Sequence, residues 1–392
     1  MMMRILLHAH RQLLCAFVLL CALPSASAPS LAAGTLSEDK TSAVILAYGR
    51  IGEDAYPATS LRADQFTAHL EELKRDRYNV APIPRIIAAA KAGQAQPNRT
   101  IGITFSGAYQ SAYDNAMRAL IENQIPFTVF YATDHADSGL TNHLDWAHLK
   151  KLKQTGLVTF GLLPASYGHM NEGDSAETLR NINRARARHR EMLGLEADFF
   201  SYPFGEYSNE YKDTIKQQGF TAAFGLHSGV THIGADFFAL PRFSMTQNYG
   251  SLDRFELVAN ALPLPATDIE PNNAYLSSDS PAIGFTISPD LTTKIEQLSC
   301  FISGQAQPQT EILGKTRVEL RLAEALSDER TRVNCTIPTQ DSAGEERWRW
   351  LGMLLVRKAV APNNYEPEII EAEAEIEVME VPPATPELPA PQ

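Results

Sequence analysis

The chain has 392 residues, of which 44% are hydrophobic, 20% charged and 8% aromatic. That apolar content suffices for a sizeable core over about two domains, while 23 Gly, 24 Pro and 4 Cys exclude a collagen-like or disulfide-framework protein. The net charge is −12; eight Glu from Glu366 onward and two Arg in the first 32 residues leave −6 for residues 33–365, too acidic a body to attract nucleic acid or an anionic membrane.

Arg4, His8 and Arg11 precede the apolar run Leu13–Leu23, and small residues follow over Pro24–Gly34. This order of segments reads as a secretory signal peptide over residues 1–32, cut after Ala32, and its apolar stretch is too short to span a bilayer. Cys21 raises a lipoprotein alternative, which the bulky Leu20 before it disfavours. An exported, periplasmic protein with no transmembrane segment in its mature chain is expected. Removal of the signal leaves Cys300 and Cys335, which an oxidising compartment would join in a disulfide; two buried free thiols are the alternative.

Short apolar runs at Ala43–Tyr48, Thr100–Phe105, Pro126–Tyr131, Val158–Leu163, Asp198–Pro203 and Ala222–His227 read as buried strands. Helical patterns lie between them at Leu61–Arg77, Ile83–Ala92, Gln110–Asn123, Asp145–Gln154, Ser175–Leu193 and Asn209–Gln217. Such alternation implies parallel strands with helices packed outside, and six or seven units favour a barrel over 41–265. The Pro-rich residues 266–280 read as a linker. Beyond it, Ala282–Ser288, Ile295–Ser303, Val318–Leu322, Arg332–Ile337 and Trp348–Val356 suggest a small antiparallel β domain over 281–358, carrying both cysteines. Residues 359–392, rich in Pro and Glu, read as a disordered tail.

Several pieces occur in one family's order: Leu46-Ala47-Tyr48-Gly49-Arg50, Asp64–Leu73, Thr104–Asn115, Leu144-Asp145-Trp146, Phe160–Met170, Tyr202-Pro203-Phe204-Gly205-Glu206-Tyr207 and Leu240-Pro241-Arg242-Phe243. With them the segment Ala43–Pro271 resembles the polysaccharide deacetylases (the NodB-homology domain, carbohydrate esterase family 4). Arg347-Trp348-Arg349-Trp350 with Cys300 and Cys335 resembles the small domain that follows the barrel in some members. The resemblance implies an α/β fold, a distorted (β/α) barrel followed by a small antiparallel β domain, and removal of N-acetyl groups from amino-sugar polymers. It also implies zinc held by one Asp and two His, a metal that lowers the pKa of bound water towards about 7, with a second Asp as general base.

At those positions this chain differs. The family's Thr-Phe-Asp-Asp falls on Thr104-Phe105-Ser106-Gly107, which puts Ser106 at the general base and Gly107 at the first ligand. The family's His-Thr-x-x-His falls on Leu163–Tyr167, which puts Leu163 and Tyr167 at the remaining ligands. The family's zinc site therefore reads as lost, and no cofactor is expected. His169 could enter a shifted register, but the other ligands would still be missing. His143/His148 and His227/His232 are five apart, a spacing that does not align metal ligands on a helix.

Ser106 lacks a nucleophile elbow and an assignable base, and no phosphate-binding glycine loop occurs. Tyr48, Tyr109, Tyr202, Pro203, Gly205 and Tyr207 are candidate groove residues; a tight turn accounts equally well for Pro203 and Gly205. Trp348 and Trp350 share a strand face and are expected in the core of their own small domain. The expectation is an exported, catalytically inactive deacetylase-like protein that binds a glycan or an envelope protein. The alternative is an active deacetylase with a rearranged site.

Overall fold

The structure is a computed structural model, and it describes residues 38–169, 175–306, 308–341 and 344–357, with the side chain of Thr293 left aside. The expected signal peptide and the expected tail from residue 359 lie outside the described residues. Among the described residues no helix is long and apolar enough to cross a membrane.

The alternating apolar runs become parallel strands of one sheet: β1 (Ala43–Tyr48), β2 (Thr100–Ser106), β3 (Phe127–Tyr131), β4 (Val158–Leu162), β5 (Phe199–Ser201) and β6 (Ala222–Phe224), each paired with the next. A bridge from Phe224 to Leu240 leads into β7 (Phe243–Met245), which pairs with β1 and closes a distorted barrel. Along β1 the residues divide by parity: Val44, Leu46 and Tyr48 join the layer under the outer helices, while Ala43 and Ile45 face the interior with Phe130, Leu163 and Phe224. Period-two burial of this kind is how a barrel strand serves two cores.

The outer helices follow the 3.6-residue period. In α1 (Ala63–Leu73) Phe66, Leu70 and Leu73 lie buried on one face with His69. Each such apolar side chain contributes roughly 1.5–3 kcal/mol on burial. Around the barrel follow α2 (Ile83–Lys91), a continuous helical run over 110–122 with a π turn at Tyr113–Met117, α3 (Trp146–Gln154), α4 (Ser175–Leu193), α5 (Asn209–Gln217) and α6 (Leu252–Ala259). Asp145, Ser208 and Ser251 cap α3, α5 and α6 by accepting from backbone N–H groups three residues on, as short polar side chains at a helix start do.

The small antiparallel β domain is a sandwich. One sheet orders β8 (Ala266–Glu270), β9 (Ile283–Ile287), β12 (Arg317–Arg321) and β11 (Gln309–Leu313); the other is built from β10 (Ser299–Ile302), β13 (Arg330–Gln340) and β14 (Glu346–Arg357). Phe285, Ile287 and Val318 meet Ile302, Val333 and Met353 between them. Cys300 and Cys335 sit directly opposite in register and are bonded.

Three boundaries differ from the expectation. Residues 266–270, read as part of a linker, form the edge strand β8, whose side chains are mostly exposed and so lacked an apolar signature. β11 is likewise half polar and was not foreseen, and Pro289–Gln297 forms a 3₁₀ turn ahead of the shorter strand β10. The β domain is not held apart from the barrel: the described residues of both fall in one compact unit. Leu262–Pro263 pairs with Arg349–Trp350, and Arg349 grips Asp39 through two bonds of 2.6 and 2.7 Å. Trp350 does not fill its own domain's core; its ring stands edge-on to Phe243 of the barrel at 5.2 Å, whereas Trp348 is 39% exposed.

Candidate functional site

Substrate chemistry on a (β/α) barrel belongs at the carboxyl ends of the strands, and there the expected positions do converge. Ser106 ends β2, Gly107 follows with its N–H donated to Phe130 O at 3.0 Å, and Leu163 follows β4 with its N–H on Tyr131 O. Tyr167 packs against the same interior cluster as Leu163.

The centre of this end is Arg242, wholly buried just before β7. Its Nε donates to Gly225 O at 2.9 Å, Nη1 to Ser106 Oγ at 3.1 Å and Thr104 Oγ1 at 3.3 Å, and Nη2 to Ser201 Oγ at 2.7 Å. The rings of Phe130 and Phe224 flank it at 5.2 and 5.8 Å. No carboxylate among the described residues pairs with it, and burial pushes its pKa down to about 9, against a smaller upward pull from Tyr167. A buried guanidinium solvated only by neutral oxygens is a costly arrangement.

Above Arg242 the mouth is filled by rings in succession. The Arg50 guanidinium lies 4.0 Å over Tyr109, whose ring meets His143 at 4.8 Å. His143 meets His135 at 4.2 Å, and His135 meets Tyr167 at 6.2 Å. Tyr167 packs on Phe204 at 4.7 Å, Phe204 stacks flat on His169 at 3.8 Å, and Arg330 of the β domain covers Phe204 at 5.2 Å. Phe204 holds φ +53, a conformation few non-glycine residues adopt. His169 Nδ1–H donates to the buried Glu206 at 2.9 Å. Burial, then His135 and Arg50, push the His143 pKa down to about 3, so that imidazole is neutral.

Comparison with known proteins matches this geometry. Residues 93–223 fit the family model described as polysaccharide deacetylase. The barrel is similar in fold to the polysaccharide deacetylases. Over 200 residues it is 22% identical to the Staphylococcus aureus poly-beta-1,6-N-acetyl-D-glucosamine N-deacetylase, covering 48% of this chain and 69% of that protein. In fold it resembles the Streptococcus pyogenes deacetylase PplD in complex with acetate, with a TM-score of 0.52, 16% identity and coverage of 56% of this chain and 98% of that one. It likewise resembles IcaB from Ammonifex degensii, with a TM-score of 0.50, 21% identity and coverage of 56% and 95%.

The residues present do not fit the family's zinc. Glycine and leucine have no side-chain donor, and a serine bonded to a guanidinium together with a tyrosine is a poor set for this ion. Gly107 has φ +97, and a Cβ there would collide with the Tyr109 ring, so the space of an aspartate side chain is already taken. Among the described residues no group of three His, Cys, Asp or Glu could hold a metal. The spaced histidine pairs are separately employed: His148 Nδ1 bonds Asp145 at 2.7 Å while His143 lies in the ring strip, and His227 neighbours Tyr207 while His232 faces Glu38.

Of the candidate groove residues, two must be corrected. Tyr48 is 1% exposed and donates to His69 Nδ1 at 3.1 Å under α1, and Tyr202, also 1% exposed, donates to Phe238 O at 2.9 Å; both belong to the core. Pro203 and Gly205 are buried in a turn around Phe204, Tyr109 is part of the ring strip, and Tyr207 is half-buried beside His227. His135 and the role of Arg242 carried no expectation, whereas Phe204 lay inside the matched Tyr202–Tyr207 piece. Arg242 stood inside the matched Leu-Pro-Arg-Phe piece, and that was the available signal.

Proposed function

We propose that this chain is an exported member of the polysaccharide deacetylase family that binds an amino-sugar polymer without hydrolysing it. One observation carries the reading: the turn after β2 has Gly107 at φ +97 with the Tyr109 ring where a metal-binding side chain would project. The half-buried rings of Tyr167 and Phe204 support glycan binding, since aromatic faces pack against the apolar faces of sugars. The N-terminal pattern of basic, apolar and small residues supports export. The relatives' substrate suggests β-1,6-linked N-acetylglucosamine oligomers as the first ligand to try.

The test combines elemental analysis of the purified mature protein, acetate release from those oligomers, and calorimetric titration with them. The expected result is less than stoichiometric zinc, no acetate above background, and binding weakened at least fivefold by Phe204→Ala. One tightly bound zinc per chain together with acetate release would overturn it.

A further inference from the structure

Among the described residues, partly buried arginines nearly all meet an oxygen acceptor, and two depart from that rule. The guanidiniums of Arg254 on α6 and Arg332 on β13 are half-buried, yet neither bonds a carboxylate or any other acceptor among the described residues. Arg85 and Arg118 also lack such a partner, but both are exposed, where water suffices. The two exceptions are neighbours.

Arg254 lies 4.8 Å over the Trp350 ring, and Trp350 Nε1–H donates to Asn334 Oδ1 at 2.9 Å. Asn334 is two residues from Arg332, so both point to the same face of β13, and Phe301 of β10 stands opposite Asn334 on that face. The Tyr249 phenol is within electrostatic reach of both guanidiniums. Tyr249 is 54% exposed and Phe301 55%, so two open aromatic rings border two unpaired cations on the seam between barrel and β domain.

We propose that this face binds an acidic polysaccharide, one whose sugars carry carboxylates. Charge and shape both point there. Burial pushes both guanidiniums below their ordinary pKa, so each has lost water without gaining a counter-charge, and an arriving carboxylate would supply one with fork-like geometry. Tyr249 and Phe301 offer flat apolar surface for sugar rings. The complementarity is local, because residues 33–365 carry −6 overall and would repel a polyanion elsewhere. This inference does not rest on the reading of the barrel mouth, which concerns a neutral amino-sugar polymer at other residues.

The experiment titrates galacturonate oligomers into the full mature chain at low and high salt. Binding is expected, weaker at high salt because the contacts are ionic. Arg254→Gln with Arg332→Gln should lower affinity at least tenfold, and Phe301→Ala, which removes an exposed ring and leaves the fold intact, several-fold. Phe204→Ala in the barrel mouth should leave galacturonate binding unchanged, and the arginine pair should leave any binding of neutral N-acetylglucosamine oligomers unchanged. No binding, or binding indifferent to both the arginine pair and Phe301, would overturn the proposal. Binding that emerges only after removal of residues 358–392 would also overturn it, because the eight glutamates of that segment would then be the occupant.

Discussion

The barrel mouth and the seam with the β domain both place arginine beside aromatic rings, yet they treat the charge in opposite ways. At the mouth, Arg242 is sealed among serine and threonine hydroxyls, and the space above it is closed by ring contacts from Tyr109 to His169. At the seam, Arg349 pairs with Asp39 and Arg347 lies 3.8 Å from Asp341 besides bonding Asn260 O, Ala261 O and Asn98, so these two charges meet carboxylates, unlike their neighbours Arg254 and Arg332. The difference teaches that one scaffold can seal a charge behind packed rings at a strand end and use others to join two domains. Deletions should therefore be felt most at the seam, and insertions most at the mouth.

The largest effect should come from the seam. Trp350→Ala removes a ring that is 8% exposed and packed on Phe243, at a cost of about 3–5 kcal/mol. Urea unfolding should show a single transition moved to lower midpoint. Two separated transitions would mean that barrel and β domain are independently stable and that the seam does not join them.

At the mouth, Gly107→Asp should be nearly as damaging. A φ of +97 strains any L side chain, and the new Cβ meets the Tyr109 ring, so strain and overpacking together should cost about 2–4 kcal/mol. The same conflict bears on rebuilding the family's metal site through Ser106→Asp, Gly107→Asp, Leu163→His and Tyr167→His: that variant should bind no zinc until Tyr109→Ala vacates the space. Equal zinc uptake with and without Tyr109→Ala would show that the ring is no obstacle.

Next comes acidity. Burial is the main cause that pushes His143 at the mouth down to about 3 and His227 near the seam to about 4, both below the ordinary 6.5. The unfolded chain then takes up protons that the folded one refuses. Stability is whole above about pH 6.5 and falls as pH drops towards those values, by at most roughly 1.4 kcal/mol per pH unit for each group. Denaturant midpoints at pH 7.5, 5.5 and 4.5 should decline, and His143→Gln should flatten the decline. An unchanged slope in that variant would show that His143 does not titrate in this window.

The strand order and most helix positions were legible because apolar periodicity reports directly on burial, as in Ala43–Tyr48 and Ser175–Leu193. Strands β8 and β11 were not, because an edge strand exposed on most of its length carries no such period. Within the site, the matched motif pieces pointed to Ser106, Gly107, Leu163 and Tyr167, and the structure puts Ser106 and Gly107 at the end of β2 and Leu163 just after β4. The rings around Tyr167 could not be read: His135 and Phe204 come from other strand ends, and only the closed barrel brings them to it. Tyr48 and Tyr202 were placed in a groove because they stand in matched motif pieces, whereas each hydroxyl finds an internal acceptor in the core.

The smallest effect, and the one of opposite sign, should come from Ser106→Asp alone. Ser106 Oγ already sits 3.1 Å from Arg242 Nη1, so a carboxylate there would meet a guanidinium that is buried in any case. Desolvating the new carboxylate costs energy, but half of the usual expense of a buried pair, the cation's own desolvation, is already borne by the present fold. The balance should favour the variant by about 1 kcal/mol, with the new carboxyl held below its ordinary pKa by the arginine. Stability gained in this way is present above the carboxylate's unfolded pKa and lost as pH falls through the depressed folded value. Thermal unfolding at pH 7 should move up by a few degrees, and the gain should vanish in the Arg242→Met background. A loss of stability in the single variant would mean that the hydroxyls of Ser106, Thr104 and Ser201 already solvate Arg242 as well as a carboxylate could, so that the mouth is balanced as it stands.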